Sequence, residues 1–222
     1  MKTDKGGIFG IKKPKGPTSH DIIDRLRQIT GIRKIGHAGT LDPAAQGVLV
    51  VAIGRKYTKK ISKYKDQEKE YIATIRLGIV SNTDDLEGEV NKKSSNQPGK
   101  REVEDVLSDF VGTITQKPPI YSAVKINGTP SYKLARQGKN PDPPPRRVTV
   151  KDIDLISYEY PDIELKIASG PGVYIRSIAR DLGGKLGTGA LLADLIRKRV
   201  GDFNLENSYD LRSFQKEKPY IS

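Results

Sequence analysis

The stretch that decides the fold is residues 34–54, which reads KIGHAGTLDPAAQGVLVVAIG. Its second half, residues 47–54, is a continuous aliphatic run bounded by glycines, and this pattern predicts a buried strand. Its first half is a glycine-bounded loop that carries Asp42 close to basic residues. A carboxylate repels the polyanions that basic residues attract, so the placement of Asp42 among basic residues indicates a chemical role for it. Because Asp-Pro commonly opens turns, a local capping role for Asp42 is the alternative.

The rest of the sequence predicts a succession of helices and strands, and therefore a mixed α/β (α+β) fold. Thr18 and Ser19 offer an N-cap, apolar residues follow at helical spacing, and Gly31 ends this helix. Residues 69–77 alternate between two faces, which is typical of a strand. The other predicted elements are a short basic helix over 57–65, a loop over 81–101, helices around 103–110, 174–186 and 190–197, strands over 148–158 and 162–169, a stiff exposed segment over 140–147 and a short helix over 210–214.

The positive charge of the sequence is concentrated in two regions. The 222 residues include 39 Lys or Arg and 27 Asp or Glu, which gives a net charge of +12. Residues 1–65 contain 15 basic residues against 4 acidic ones, and residues 117–151 contain 8 against Asp142 alone. Charge this uneven indicates a surface for nucleic acid, and lysines that serve only solubility are the alternative.

Several other classes of protein lose support. The sequence has no cysteine and two histidines, which argues against disulfides, a thiol nucleophile and a structural zinc site. Residues 183–187 lack the Ser or Thr that a phosphate-binding P-loop needs after its Lys, and instead predict the end of a helix. The N-terminus has no apolar signal segment and no later run reaches the length of a membrane span, so we expect a cytoplasmic protein without membrane contact.

Residues 36–49 resemble the catalytic signature of the bacterial TruB family of tRNA pseudouridine synthases. Further segments are similar to the remaining motifs of the family, in the same order. These segments are residues 10–19, residues 69–78, residues 118–125 with 132–138, and residues 172–183. The resemblance extends from about residue 7 to about residue 205, and the ordered set of motifs is far more specific than any one of them.

The resemblance implies the pseudouridine synthase fold, in which helices flank a mixed central β-sheet and a thumb insertion clamps RNA. It implies one catalytic domain over residues 1–222, with the thumb at about 121–150 and without the C-terminal PUA-like domain of many relatives. The implied reaction converts uridine 55 in the T-arm loop of tRNA to pseudouridine after the base flips out. No atoms pass to or from another molecule, so we expect no cofactor and no metal. We also expect a monomer without an obligate protein partner.

The motifs of the family imply roles for individual residues. Asp42 is the catalytic carboxylate, because breaking the glycosidic bond develops positive charge at C1′, which a carboxylate stabilises or attacks. A covalent route and a glycal route both remain open. Tyr71 stacks on the uracil and takes the C5 proton, and Arg176 pairs with Asp42 and keeps it ionised. Leu195 lies against the uracil, and His37 fills the stack that the flipped base vacates.

Each of these roles has a plainer alternative in the sequence itself. Tyr71 and Leu195 fit core positions of their predicted elements. Arg176 fits a phosphate contact or an exposed arginine. His37, between small neighbours, fits an exposed loop.

The resemblance also implies residues that bind the substrate RNA. Tyr174, in the last motif, is one of them. The others are basic residues of the thumb region, which we expect to grip the T-arm backbone and to become ordered on binding. These basic residues are Lys125, Lys133, Arg136, Arg146 and Arg147. Tyr121 and Tyr132 either anchor the thumb or touch the RNA.

One segment departs from the family pattern, and two other functions stay open. Asn82 stands where the family usually has an acid, which puts any charge-dependent contact there in doubt. A dyskerin-type synthase, which uses guide RNA and protein partners, is the alternative within the class, although the insertion at 121–147 argues against it. A non-catalytic tRNA-binding chaperone is the alternative outside the class, because it needs the same basic surfaces but not Asp42.

Overall fold

The computed structural model describes residues 6–221, so residues 1–5 and 222 of the predicted catalytic domain lie outside the described residues. The chain forms two compact units. Unit 1 contains residues 1–71 and 195–222, and unit 2 contains residues 72–194. Unit 2 is therefore inserted in sequence between the two parts of unit 1.

The elements alternate along the chain, so the predicted mixed α/β class is confirmed. The strands are β1 (Gly7–Lys13), β2 (Ile35–Ala38), β3 (Gln46–Ile53), β4 (Lys69–Leu77), β5 (Ile79–Ser81), β6 (Val90–Lys92), β7 (Gly112–Gln116), β8 (Lys125–Ile126), β9 (Thr129–Pro130), β10 (Arg146–Glu159), β11 (Asp162–Ser169), β12 (Ala190–Val200) and β13 (Phe203–Asn204). The helices are α1 (Ser19–Thr30), α2 (Arg55–Thr58), α3 (Ser62–Lys65), α4 (Lys100–Ser108), α5 (Ser131–Arg136), α6 (Ile175–Lys185) and α7 (Leu211–Glu217).

Strand β3 lies at the centre of unit 1. It pairs antiparallel with β1 and with β2, and it pairs parallel with the end of β12. Every residue of β3 after Gln46 is buried, which confirms the buried strand predicted from the aliphatic run. Buried side chains of α1, β1, β3 and α7 form one hydrophobic cluster, which anchors the loops at the ends of β3.

Helix α1 begins and ends where the sequence predicts. The Thr18 hydroxyl accepts a hydrogen bond from the Asp21 N–H (3.1 Å), and the Asp21 carboxylate accepts one from the Thr18 N–H (2.8 Å). This reciprocal pair is a capping box, which satisfies two backbone donors that the first turn leaves free. Gly31 closes the helix in the left-handed conformation, with φ of 70°. The cap fixes the position of Ser19, which contacts the loop that carries Asp42.

Unit 2 contains β4 from residue 72 onward, strands β11, β10 and β7, which follow β4 in that order in the sheet, and two short hairpins, β5–β6 and β8–β9. Along β4 every second side chain is buried, which confirms the predicted alternation. Strands β10 and β11 and helices α4 and α6 also match their predictions, with boundaries shifted by a few residues. Helix α4 contacts both β10 and α6.

The predicted helix over 190–197 is wrong, because these residues lie in strand β12. An apolar run of this length fits a buried strand as well as a buried helix, and the spacing of the leucines alone does not separate them. Pairing decides the outcome, since Ile196 and Arg197 lie opposite Gln46 and Gly47 of β3. Such a partner is distant in sequence and is not visible in the local pattern.

Two smaller predictions also need correction. The basic helix over 57–65 is two single turns, α2 and α3, and the loop over 81–101 contains the β5–β6 hairpin. Both segments are polar and short, so their structure depends on neighbouring elements more than on their own periodicity.

Among the helices that the structure describes, none has the length and hydropathy needed to cross a bilayer.

Candidate active site

Asp42 lies in the loop between β2 and β3, and helix α1 holds this loop in place. The buried Ser19 hydroxyl donates to the Leu41 carbonyl and accepts from the Leu41 N–H, both at 2.9 Å. Gly39 takes a φ of 84°, which turns the chain sharply at the end of β2. The Ala45 N–H donates to the Asp42 carbonyl (3.1 Å), so Asp42 itself begins a tight turn. Its half-buried side chain is therefore carried by a backbone that is fixed before any substrate binds.

A buried lysine supports the same loop from its other side. Lys13, which is 1% exposed, donates from Nζ to the carbonyls of Ala45 (2.7 Å), Pro14 (3.0 Å) and Pro43 (3.2 Å). The Gly16 N–H donates to the Pro43 carbonyl as well (2.9 Å). Because a buried ammonium group is costly unless its donors are satisfied, these three carbonyls are its necessary partners. Lys13 lies in the segment 10–19, but its burial beneath the Asp42 loop could not be predicted from the sequence.

A buried arginine, Arg197, contacts the loop from strand β12. Arg197 is 2% exposed, and its guanidinium donates to the carbonyls of Val48 (2.8 Å) and Gly39 (3.0 Å). No role is predicted for Arg197 from the sequence, because it falls at the end of the helix predicted over 190–197. In the sequence Arg197 is the first of three consecutive basic residues before Val200, so the local pattern does not separate it from its neighbours.

Asp42, Tyr71 and Arg197 interact electrostatically within unit 1. Tyr71 is 6% exposed, and burial raises the pKa of its phenol, while the charge of Arg197 opposes that rise. Burial lowers the pKa of Arg197, and the neighbouring Tyr71 and Asp42 oppose that shift. A carboxylate, a phenol and a guanidinium thus lie together, which is a set of groups suited to charge stabilisation and proton transfer.

Two further basic side chains border this group. His37 in β2 is half-buried, and burial, followed by the charges of Arg197 and Lys65, lowers its pKa, so the imidazole is neutral near pH 7. The buried Lys69 donates to the carbonyls of Gln67 (2.6 Å) and Lys65 (2.9 Å). Burial and the charge of Arg197 lower the pKa of Lys69 to about 8. A neutral His37 is compatible with its predicted place in a base stack, which stays a prediction.

Leu195 lies in β12 two residues before Arg197, so both side chains point to the same face of the strand. Leu195 is buried, as its predicted core position requires. Unit 1 therefore contains four residues of the predicted site. They are His37, Asp42, Tyr71 and Leu195.

Arg176 lies in unit 2, at the start of α6, and is 6% exposed. Its guanidinium donates to the carbonyls of Tyr121 (2.8 Å) and Thr83 (3.0 Å) and lies 3.4 Å from the carboxylate of Asp85. The buried Asp85 carboxylate also accepts from the Thr83 hydroxyl (2.6 Å) and from the Glu87 N–H (2.9 Å). Asp85 is not among the site residues predicted from the sequence.

The predicted ion pair between Arg176 and Asp42 stays a prediction. The contacts of the Arg176 guanidinium within unit 2 fix its position. Asn82, where an acid was expected from the family resemblance, is exposed and accepts from the Glu89 N–H (3.2 Å) in the β5–β6 hairpin. A neutral amide makes this contact as well as a carboxylate does.

Tyr174 and Arg146, both predicted to bind RNA, lie against each other in unit 2. The Tyr174 N–H donates to the side chain of Gln116 (2.8 Å), and the Gln116 amide donates back to the Tyr174 carbonyl (3.1 Å). The Arg146 guanidinium lies 5.0 Å from the centre of the Tyr174 ring and donates to the Gly172 carbonyl (2.6 Å). Arg146 therefore has intramolecular contacts, and its predicted contact with RNA stays a prediction.

The predicted thumb has secondary structure of its own, the β8–β9 hairpin followed by α5. Four of its predicted RNA-binding residues are exposed, as phosphate contacts require. They are Lys125, Lys133, Arg136 and Arg147. Arg136 lies 5.7 Å from the centre of the Tyr132 ring. Within the part of the chain that the structure describes, no group of three His, Cys, Asp or Glu side chains is placed to hold a metal ion.

Comparison with known proteins gives concordant matches. Residues 27–175 match the family model described as TruB family pseudouridylate synthase (N terminal domain). The chain is 43% identical to tRNA pseudouridine synthase B of Acaryochloris marina, over 95% of this chain and 74% of the relative. It is 46% identical to tRNA pseudouridine synthase B of Protochlamydia amoebophila, over 90% of this chain and 76% of the relative.

Solved structures with a similar fold include a Cbf5-Nop10-Gar1 complex, with a TM-score of 0.75 and 29% identity over 96% of this chain. Another is an H/ACA RNP bound to a substrate RNA containing 2′-deoxyuridine, with a TM-score of 0.72 and 26% identity over 99% of this chain. The chain spans 54% and 58% of those two chains. The fold class expected from the sequence is thereby confirmed.

Proposed function

The chain belongs to the TruB family of pseudouridylate synthases, and from this premise we propose that it isomerises uridine to pseudouridine in tRNA, at position 55 of the T-arm loop. The observation that carries the proposal is the carboxylate of Asp42, held in a fixed loop beside the Tyr71 phenol and the buried Arg197 guanidinium. The tRNA substrate is supported by the names of relatives more than 40% identical.

The chemistry follows from the balance of the reaction. The N1–C1′ bond of the uridine breaks, a C5–C1′ bond forms, C5 loses a proton and N1 gains one. No other molecule is consumed, so positioned acids and bases are sufficient. Positive charge develops at C1′ as the glycosidic bond breaks, and Asp42 supplies the opposing charge or a covalent bond. A route through an ester at C1′ and a route through a glycal both use this one carboxylate.

Tyr71 is the proposed acceptor of the C5 proton. Its ring is buried in strand β4, and the charge of Arg197 opposes the rise in its pKa that burial causes. An aromatic ring next to the uracil supplies a stacking surface, and Leu195 supplies an apolar one. Arg176 remains the proposed ion-pair partner of Asp42, on the basis of its motif.

Binding of the RNA is assigned to groups outside the chemistry. The flipped uridine leaves a gap in the T-arm stack, which we propose that the neutral His37 fills. The exposed basic residues of the thumb contact the phosphates, because shape and backbone are the features by which folded RNA is recognised. The expectations of a monomeric, cytoplasmic enzyme without a cofactor or an obligate partner stay predictions.

The test of the proposed substrate uses the chain alone, without guide RNA or metal. A T-arm stem-loop carrying tritium at C5 of uridine 55 is incubated with the protein, and the release of tritium into water is measured. A matched stem-loop carries the label at another uridine of the same loop. Release from the first RNA and not from the second supports the proposal. Release that requires an added guide RNA supports the dyskerin-type alternative, and tight binding without release supports the chaperone alternative.

A further inference from the structure

Arg180 lies in helix α6 one turn after Arg176, so both side chains leave the same face of the helix. Its Nη1 donates to the carboxylate of Asp84 (3.0 Å), and its Nη2 donates to the Lys117 carbonyl (2.9 Å). Its Nε donates to the carboxylate of Asp181, the next residue in the helix (2.9 Å). Every nitrogen of the guanidinium is therefore engaged, which fixes the orientation of its plane as well as its position.

Arg176 and Arg180 bridge the same two segments of unit 2, which are the turn 83–85 and the chain 117–121 that leads from β7 into the thumb. Arg176 donates to a backbone carbonyl in each segment, at 3.0 Å in the turn and 2.8 Å in the chain. Arg180 donates to a carboxylate in the turn and to a carbonyl in the chain. The Ser177 hydroxyl donates to the same carbonyl as Arg180 does (2.8 Å). Helix α6 therefore holds the turn and the entry to the thumb together.

Asp84 determines the shape of the turn. Its φ of 61° lies in the left-handed region, which aspartate adopts more readily than most residues other than glycine. Its side chain is only 16% exposed, so its carboxylate needs a counter-charge, which Arg180 supplies. The residues on either side of Asp84, Thr83 and Asp85, are the ones that contact Arg176. The conformation that the ion pair stabilises is therefore the one that presents these two contacts.

We propose that Arg180 and Asp84 are positioning residues of the isomerisation. Their ion pair sets the turn 83–85, and this turn holds Arg176 in the place that the reaction requires. The role rests on the proposed function, in which Arg176 pairs with Asp42. The effect of the ion pair passes through Arg176, so it appears in the rate of the reaction rather than in the affinity for RNA. A purely structural ion pair would stabilise the fold and leave the rate of the folded protein unchanged.

A double-mutant cycle separates the two roles. Tritium release is measured in single turnovers with saturating protein, and affinity for the T-arm stem-loop is measured separately. Arg180→Met and Asp84→Asn are each expected to slow release by at least about tenfold, with the affinity changed less than about threefold. Asp84→Asn keeps a residue that tolerates the left-handed conformation, and it serves alone if Arg180→Met does not fold. In the Arg176→Lys background the same substitutions are expected to cost less than about threefold, since the guanidinium that they position is gone. An unchanged rate, with or without a loss of affinity, or equal losses of rate in both backgrounds would overturn the proposal.

A second measurement needs neither turnover nor RNA, so it separates failure of this proposal from failure of the proposed function. The chain is labelled with ¹⁵N-arginine, and the Nε–Hε signal of Arg176 is identified by its loss in Arg176→Lys. Asp84→Asn is expected to move or broaden this signal, because the turn that contacts Arg176 is no longer held. Lys185→Met, which removes an ion pair with Asp109 from the same helix, is the matched control and is expected to leave the signal in place. An unmoved signal in both Asp84→Asn and Arg180→Met refutes the coupling, whether or not tRNA is modified.

Discussion

Gly47→Ala tests the strand contact on which the site depends. Gly47 has a φ of 117°, and an added Cβ would lie 2.6 Å from the nitrogen of Arg197. The backbone strain alone costs about 1–3 kcal/mol, and the displacement needed to relieve such a close contact costs about as much again. We therefore expect the free energy of unfolding to fall by about 3–5 kcal/mol, which lowers the midpoint of thermal unfolding by roughly 10 °C for a chain of this size.

Circular dichroism of thermal unfolding measures this difference, and the chain contains a matched control. Gly16 has a φ of 102°, but nothing lies within 4 Å of an added Cβ. Gly16→Ala therefore carries the strain without the steric contact, and we expect it to lower the midpoint by only a few degrees. If both variants unfold within about 2 °C of each other, the close approach of β3 to β12 is wrong, and with it the placement of Arg197.

Three other predictions follow from single features of the structure. Burial lowers the pKa of Lys69 from 10.5 to about 8, so its charge destabilises the folded chain below pH 8. As the pH rises from 8 to 10.5, the free energy of unfolding should increase by up to about 3 kcal/mol relative to that of Lys69→Met. A difference between the two proteins that does not change with pH in denaturant unfolding contradicts this. Arg147→Ala should weaken RNA binding and reduce the slope of log affinity against log salt concentration by about one, because Arg147 is exposed in the thumb region. An unchanged slope would show that Arg147 does not contact the RNA. Phe214→Ala should lower the free energy of unfolding by about 3–5 kcal/mol, because the ring is fully buried and stacked at 5.5 Å on Tyr220. A loss below about 1 kcal/mol in the same unfolding assay would show that α7 is not part of the core.

The parts of the fold that are encoded locally could be predicted from the sequence. Helix α1 has its capping box and its terminal glycine within its own residues, and β4 shows its burial in its alternation. The loop of Asp42 could also be predicted, because its glycines and its Asp-Pro pair mark a fixed turn. These features depend on residues a few positions apart, and a linear pattern therefore contains them.

The features that could not be predicted depend on pairing between distant residues. Strand β12 was mistaken for a helix because its partner, β3, lies about 150 residues earlier in the chain, as the hydrogen bond from Arg197 to Val48 shows. Lys13 looked like one more basic residue, and only the carbonyls around it explain its burial. Arg146 lies on the ring of Tyr174, a contact that its neighbours in sequence do not indicate, and its predicted role in RNA binding stays a prediction. A buried charge has its partners in space, and the sequence does not show them.

The measurement that tests the central claim most directly is tritium release by Asp42→Asn in single turnovers, with RNA affinity measured on the same protein. The substitution keeps the size of the side chain and removes its charge, so we predict that release falls by at least about 10³-fold. The affinity should change by less than about threefold, and Asp24→Asn, on the exposed side of α1, should behave like the parent chain. Release by Asp42→Asn at the rate of the parent chain would show that the chemistry does not pass through this carboxylate.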